Sequence, residues 1–385
     1  VISEERIRGL YRAPQLLSRI LIGGQYDFLY DQMPFRIRNM GWPQRMNLVR
    51  SGLNFIHRRL KPWSLPLHMQ FELTNYCQLR CPVCPTGTKE MTRKPAVMDP
   101  ELFMTALRQV GSRLITMTLW GWGESLLHPA LGEILHEARR YNAAILLSTN
   151  GQNLDRENVV KALIDSPPTF LIVALDGLTD ESNSRFRVGA RLEPALRGMA
   201  MLSKAKARSG QRFPLLQMRF IAMKHNQHEI PDAEAFARSH GFDMLSIRLL
   251  SLVDSETGLR NQSELAVDHP EVQAQSCRAM ASARKKSYIC MQPFWYPSLF
   301  ADGTVVACEQ DFNAQLPLGV LNSETPFTNI WSGRQSVHVR RQIRDSFHTL
   351  SFCRNCPAYA RARTDTSIRA IWLNPGVQHP VVIGE

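Results

Sequence analysis

From residue 67 onward the chain alternates between two hydrophobic periods. Short apolar runs predict strands at Leu67–Thr74, Leu114–Trp120, Ala144–Thr149, Phe170–Leu175, Leu215–Met223 and Met244–Leu250. Between them, positions repeating at three to four residues predict helices at Pro100–Val110, Pro129–Tyr141, Asp155–Ile164, a longer region ending near Ala207, and Glu229–His240. Asp99, with Glu101 in the first turn, is a helix start signal. Six strands separated by helices imply a parallel sheet with right-handed crossovers. That count fits a partial barrel, whose reactive groups gather at the C-terminal strand ends.

The flanks read differently. Residues 1–66 form an extension with helical patches at Pro14–Ile22 and Gln44–Leu60. The second patch carries Met46, Val49, Leu53, Ile56 and Leu60 at three-to-four spacing, with basic residues between. It is expected to cap the main domain, and lying on a membrane surface is its second reading. Residues 251–289 are polar and irregular, a connector. A smaller unit spans 290–357, with a tight turn at Asp302-Gly303, a short strand at Leu318–Leu321 and a helix over Pro326–Arg344. Residues 358–385 read as a tail.

Composition narrows the class. The 385 residues are 44% apolar and 21% charged, as in a soluble globular protein. No run of 18 apolar residues reads as a membrane span, and Val-Ile-Ser-Glu-Glu-Arg does not read as a signal peptide. Of the net charge of +12, the first 66 residues hold +7, from eleven Lys or Arg against four acids. Such a segment meets nucleic acid, anionic lipid or an acidic partner, or is a solvated helical face. No nucleic-acid-binding motif is recognisable, so nucleic acid is not an expected partner.

Eight cysteines change the picture more than charge does. They stand at 77, 81, 84, 277, 290, 308, 353 and 356. A disulfide framework belongs to small, loop-rich secreted chains, and this chain is neither. Tight clusters point to metal in a reducing compartment. The expected location is cytoplasmic, peripheral at the inner membrane face if the extension binds lipid.

Cys77, Cys81 and Cys84 directly follow the first strand, three thiolates on one compact loop. Three ligands on a four-iron cubane leave one iron open, and an open position is what catalysis at a metal needs. Zinc with a distant fourth ligand is the alternative on spacing alone. The spacing resembles the Cys-x3-Cys-x2-Cys motif of the radical S-adenosylmethionine (SAM) family. Three more strand ends match it. Trp120-Gly121-Trp122-Gly123-Glu124-Ser125 is similar to the family's Gly-Gly-Glu-Pro segment, with Trp122 and Ser125 departing from it. Ser148-Thr-Asn150-Gly falls where the family contacts the SAM ribose and carboxylate. Asp176 ends the fourth strand, and Arg187 follows where relatives place an arginine on the SAM carboxylate. Val83 stands where an aromatic residue often contacts adenine.

The resemblance implies a partial (β/α)6 TIM-like barrel over residues 67–250, with an N-terminal helical extension and a small C-terminal SPASM/twitch domain. It implies a [4Fe–4S] cluster that binds SAM and reduces it to a 5′-deoxyadenosyl radical, which abstracts hydrogen from a substrate. Gly121, Trp122, Gly123, Glu124, Ser148, Asn150, Asp176 and Arg187 are the SAM-site residues it implies.

Cys290, Cys308, Cys353 and Cys356 form a second four-thiolate set, suited to closed zinc or to an iron–sulfur cluster. The Gly303-x4-Cys308 element and terminal Cys-x2-Cys resemble SPASM and twitch extensions. With no cysteine after Cys356, the resemblance implies one auxiliary [4Fe–4S] cluster. Cys277 is left over as a free thiol.

A closed auxiliary cluster accepts an electron, so the expected chemistry is a two-electron oxidation. The spacing is similar to that of a twitch enzyme that oxidises an alcohol, so the expected substrate is a small molecule of sugar, cyclitol or lipid-headgroup type. A ribosomal-peptide maturase is the alternative, and a metal-stabilised nucleic-acid binder the non-catalytic one. Arg219 and Arg248, in the fifth and sixth strands, are the residues offered as catalytic. A flavodoxin or ferredoxin reductase is the expected electron donor.

Overall fold

The computed structural model describes residues 4–57, 59–250, 265, 267–268, 290–354, 367–377 and 379–384. Six strands follow one another side by side and parallel: β3 (His68–Phe71), β4 (Thr116–Leu119), β5 (Ala144–Thr149), β6 (Phe170–Ala174), β7 (Leu215–Ala222) and β8 (Met244–Leu249). Their runs are largely buried because both faces of the sheet are covered. One face, with Met117, Leu147, Val173 and Met218, packs on helices through residues such as Phe103, Leu163 and Met199. The alternate positions, Ile115, Leu146, Phe170, Ile172 and Met244, point inward and belong to a separate core.

That inner core is completed by the first residues of the chain. After helix α1 (Glu4–Leu21), strands β1 (Tyr26–Tyr30) and β2 (Met33–Ile37) pair antiparallel. Asp31 and Gln32 both have positive φ, 46° and 64°, as a two-residue turn matched to strand twist requires. Met33, Phe35 and Ile37 fill the lower interior of the barrel, with the Phe35 ring edge-on to Phe170 at 4.9 Å. The extension is therefore not helical throughout; it contributes a β-hairpin plug.

Helix α2 (Trp42–His57) then crosses the N-terminal ends of the strands. It buries Gln44, Asn47, Leu48, Ser51 and Asn54, not the apolar series read from the sequence. Gln44 donates to the carbonyls of Leu114 and Asn142 at 2.8 and 2.5 Å. Asn47 Oδ1 accepts from Leu65 N at 2.8 Å, and Asn54 donates to Ser64 Oγ at 2.7 Å. These amides satisfy backbone groups that the barrel floor leaves over.

The smaller unit continues the same sheet. Strands β9 (Ser298–Leu299), β10 (Thr304–Val306) and β11 (Pro317–Val320) add beyond β3, with β9 parallel to it. Gly303, at φ +88°, makes the expected turn. The helix expected over 326–344 is two helices, Phe327–Ser332 and Arg334–Ser346, because the backbone is extended at Gly333. Arg340 locks this unit in place: fully buried and stacked on Trp331 at 4.1 Å, it donates to the carbonyls of Pro293, Trp331 and Leu60. The last stretch is not a loose tail. Strand β12 (Ser367–Trp372) pairs antiparallel with β8, and β13 (Val381–Ile383) pairs parallel with β2.

Candidate active site

Cys77, Cys81 and Cys84 lie on the loop leaving the C-terminal end of β3. The loop is shaped by its own hydrogen bonds: Leu79 N donates to Cys77 Sγ at 3.4 Å and Cys84 N to the Cys81 carbonyl at 3.2 Å. A side chain at Gly87 would meet the Cys81 carbonyl at 2.4 Å, so glycine is required there. Burial pushes the Cys77 thiol up to about 11 and Cys81 up to about 12. Thiolates at this site therefore need a cationic partner, which iron provides. A cubane asks for one thiolate at each of three corners, and the three cysteines of this loop fit that demand.

The neighbouring strand ends close around the loop. Glu124, buried at the end of β4, accepts from Leu126 N, from Thr149 Oγ1 at 2.7 Å and from Asn150 N at 2.8 Å. It thereby fastens two strand ends together. Gly121 and Gly123 allow this approach, since added side chains would meet Glu72 Cγ at 2.6 Å and the Thr74 carbonyl at 2.2 Å. Asn150 Nδ2 reaches Cys77 Sγ at 3.4 Å. Ser148 faces inward on β5, half-buried. Arg187 pairs with fully buried Asp176 at 2.7 Å and acts electrostatically on Cys81, lowering the cost of ionising it. The structure thus brings the sequence-selected strand-end residues around one loop. Val83 packs with Phe186 and Met223, so an aromatic ring does stand beside it, from a distant position.

Trp122 has a different use from the glycine it replaces. Its indole Nε1 donates to the Glu309 carbonyl at 2.9 Å, and its ring meets Phe312 at 5.9 Å. Beside it, Glu72 and Arg93 form a buried two-pronged pair at 2.7 Å, with Arg93 stacked on Phe300. Both contacts bind the cysteine loop to the C-terminal unit. In that unit Cys290 precedes the helix Gln292–Trp295, Cys308 follows β10, and Cys353 lies in the helix Ser351–Arg354. Their thiols form no disulfides. Cys356 and Cys277 lie outside the described residues.

Arg219 and Arg248 do face the interior, but as bound cations. Asp31, at the tip of the hairpin plug, pairs with Arg248 at 2.8 Å and Arg219 at 3.2 Å, and accepts from Gln217 at 2.6 Å. Tyr30 Oη adds a 2.5 Å contact to Arg219. Burial disfavours the Arg219 charge, yet Tyr30 and Asp31 outweigh it and hold its pKa above the ordinary guanidinium value. A group held so firmly protonated is unsuited to accept a proton. The arginines anchor the plug.

Asp31 itself is pulled below the usual carboxylate range: burial raises it, but Arg219 and Arg248 overcome that. A lowered folded pKa stabilises above the unfolded carboxylate value, about 3.9, and that stability is lost as pH falls below it. Asp31→Asn is expected to cost about 3–5 kcal/mol at neutral pH, by removing the carboxylate that two largely buried guanidiniums share. Denaturant melts should show this deficit at pH 7 and a smaller one in acid. An equal deficit at both would place the effect in packing.

Sequence reasoning missed Glu309. It follows Cys308 directly, shares a hydrogen bond with Gln70, and is felt by Arg248 and Arg219 across the barrel mouth. Burial raises its pKa above the ordinary glutamate value. The signal was available: a carboxylate beside a ligand-type cysteine, at the end of an apolar strand.

The fold and site are those of an iron–sulfur enzyme, and the chain carries a radical SAM superfamily domain followed by a SPASM domain. The model of that superfamily matches residues 71–217, and a SPASM model, an iron–sulfur cluster-binding domain, matches 290–357. Among curated proteins, the PqqA peptide cyclase of Gluconobacter oxydans is 27% identical over 224 residues, 58% of this chain and 59% of that protein. The mycofactocin maturase MftC of Mycobacterium ulcerans is 24% identical over 184 residues, 48% of this chain and 47% of that protein. The chain thus spans about half to three-fifths of the length of these relatives. Streptococcus suis SuiB bound to precursor peptide SuiA superposes with a TM-score of 0.58 at 15% identity, covering 82% of this chain and 75% of that one.

These relatives correct the substrate expectation. A sugar, cyclitol or lipid headgroup does not stand, because a peptide cyclase, a maturase and a peptide-bound structure are what the chain is similar to. The enzyme class and an iron–sulfur and SAM system hold.

Proposed function

We propose that this chain oxidises a peptide by radical SAM chemistry. The likeness to the PqqA peptide cyclase over 224 residues carries the reading. Cys77, Cys81 and Cys84 hold the SAM-binding [4Fe–4S] cluster, and Gly121, Trp122, Gly123, Glu124, Ser148, Asn150, Asp176 and Arg187 shape the SAM pocket. Cys290, Cys308, Cys353 and Cys356 hold a single auxiliary [4Fe–4S] cluster. When bound, these groups supply the hydrogen-atom and electron acceptors of a two-electron oxidation.

The chain's own residues do the rest. Arg187 and Asn150 offset the burial of the thiols beside them. Trp122 and the Glu72–Arg93 pair keep the C-terminal unit pressed against the cysteine loop and exclude water between them. Glu309 takes the proton that the substrate releases. Burial raises its pKa above the ordinary glutamate value, which makes it the stronger base, and it directly follows Cys308 of the auxiliary set. A flavodoxin- or ferredoxin-type reductase donates the initiating electron.

The test is anaerobic reconstitution with iron and sulfide, then SAM and dithionite, with a randomised peptide library and, separately, a panel of alcohols and sugars. The expected result is a peptide product lighter by two hydrogens, with matching 5′-deoxyadenosine. Coupled turnover of an alcohol and of no peptide would overturn the reading.

A further inference from the structure

Helix α2 is inside out. Its buried face carries Gln44, Asn47, Ser51 and Asn54 with a single leucine, whereas its open face carries Trp42, Met46, Leu53 and Ile56. Those four lie at spacings of four, seven and three residues, one stripe opposite the buried amides. Ile56 is 70% exposed, more than any core role allows. Ten of the fourteen large apolar side chains exposed among the described residues fall between Leu16 and Trp63, so the apolar surface is concentrated on this one extension. A helix that satisfies backbone carbonyls with its inner face and shows hydrocarbon outward has a second medium to meet.

We propose that α2 and the turn after it, from Trp42 to Trp63, form a peripheral docking surface for an anionic lipid bilayer. Charge complementarity selects this occupant. No Asp or Glu occurs from Gln32 to Phe71, while Arg50, Arg59 and Lys61 flank the stripe. A second copy of the chain would bring these cations face to face, which like charge disfavours. Trp42 and Trp63 stand at the two ends, with Arg45 and Arg59 over their rings at 5.4 and 4.1 Å. Aromatic rings paired with cations suit the headgroup level of a membrane. Among the described residues no helix is long and apolar enough to cross a bilayer, so the helix lies along it. Because α2 covers the N-terminal strand ends, docking leaves the cysteine loop at the opposite end facing water.

The experiment is flotation of the full chain with phosphatidylcholine vesicles, with and without phosphatidylglycerol, at low and high salt. Binding is expected to the anionic vesicles and to weaken with salt. Leu53→Ser/Ile56→Ser should reduce it about tenfold or more, and Arg50→Gln/Lys61→Gln about fivefold per cation removed. All variants should keep the wild-type melting curve and SAM cleavage. Absence of flotation at low salt would overturn the proposal. So would equal binding to both vesicle types, or a dimer in light scattering that Leu53→Ser/Ile56→Ser dissolves.

Discussion

With Cys81 replaced by alanine, 5′-deoxyadenosine formation falls by about a thousandfold or more, to the uncatalysed background. Cys81 is the central thiol of the loop, and its carbonyl already accepts from Cys84 N and touches Gly87. Alanine keeps that backbone and removes only the sulfur, so melting should change little. Iron content should drop by one cluster's worth, leaving the C-terminal set loaded. Cys308→Ala is the contrasting variant: SAM cleavage persists while peptide product is lost. Full 5′-deoxyadenosine formation by Cys81→Ala would remove this loop from the chemistry.

Glu309→Gln is expected to lower peptide turnover by about 10²- to 10⁴-fold while uncoupled SAM cleavage continues, the loss typical of a missing general base. Glutamine keeps the size of the side chain and its contact with Gln70, so a positioning role alone would be largely retained. The pH profile separates the two cases. A base with a raised pKa gives wild-type kcat/KM an acidic limb above the ordinary glutamate value of about 4.3, and the variant should lack that limb. A variant of normal rate, or one that keeps the limb, would assign the proton to another group.

The barrel was legible because its strands are buried on both faces, so sequence and burial follow the same runs. Ala144–Thr149 is observed at its expected bounds, and the others end within a few residues. Several strand-end residues were legible because they stand at or just beyond an apolar run, as Asn150 does after Ala144–Thr149 and Asp176 after Phe170–Ala174. What escaped depends on distant partners. The Asp31-Gln32 turn carries neither glycine nor asparagine, the usual markers of its backbone. Its purpose is visible only when Arg219 and Arg248 are placed around it. The apolar series of α2 pointed to the wrong face, since periodicity reports where a stripe lies and not which medium it meets. Gly333 stands inside an otherwise helical pattern, and its local break overrode that pattern.

The parallel pairing of β13 with β2 sets an order of events during synthesis. Arg38 N reaches the Ile383 carbonyl at 2.9 Å, and Asn39 reaches the Gly384 carbonyl at 2.7 Å, across 345 residues. The hairpin leaves the ribosome before the six barrel strands, and two strands alone are marginal in water. Its carboxylate then waits for guanidiniums translated about two hundred residues later, and its third strand comes later still. Contacts of such sequence separation form slowly. The barrel floor therefore closes only once β13 has been made, and a nascent chain halted before β13 leaves the outer edge of β2 unpaired.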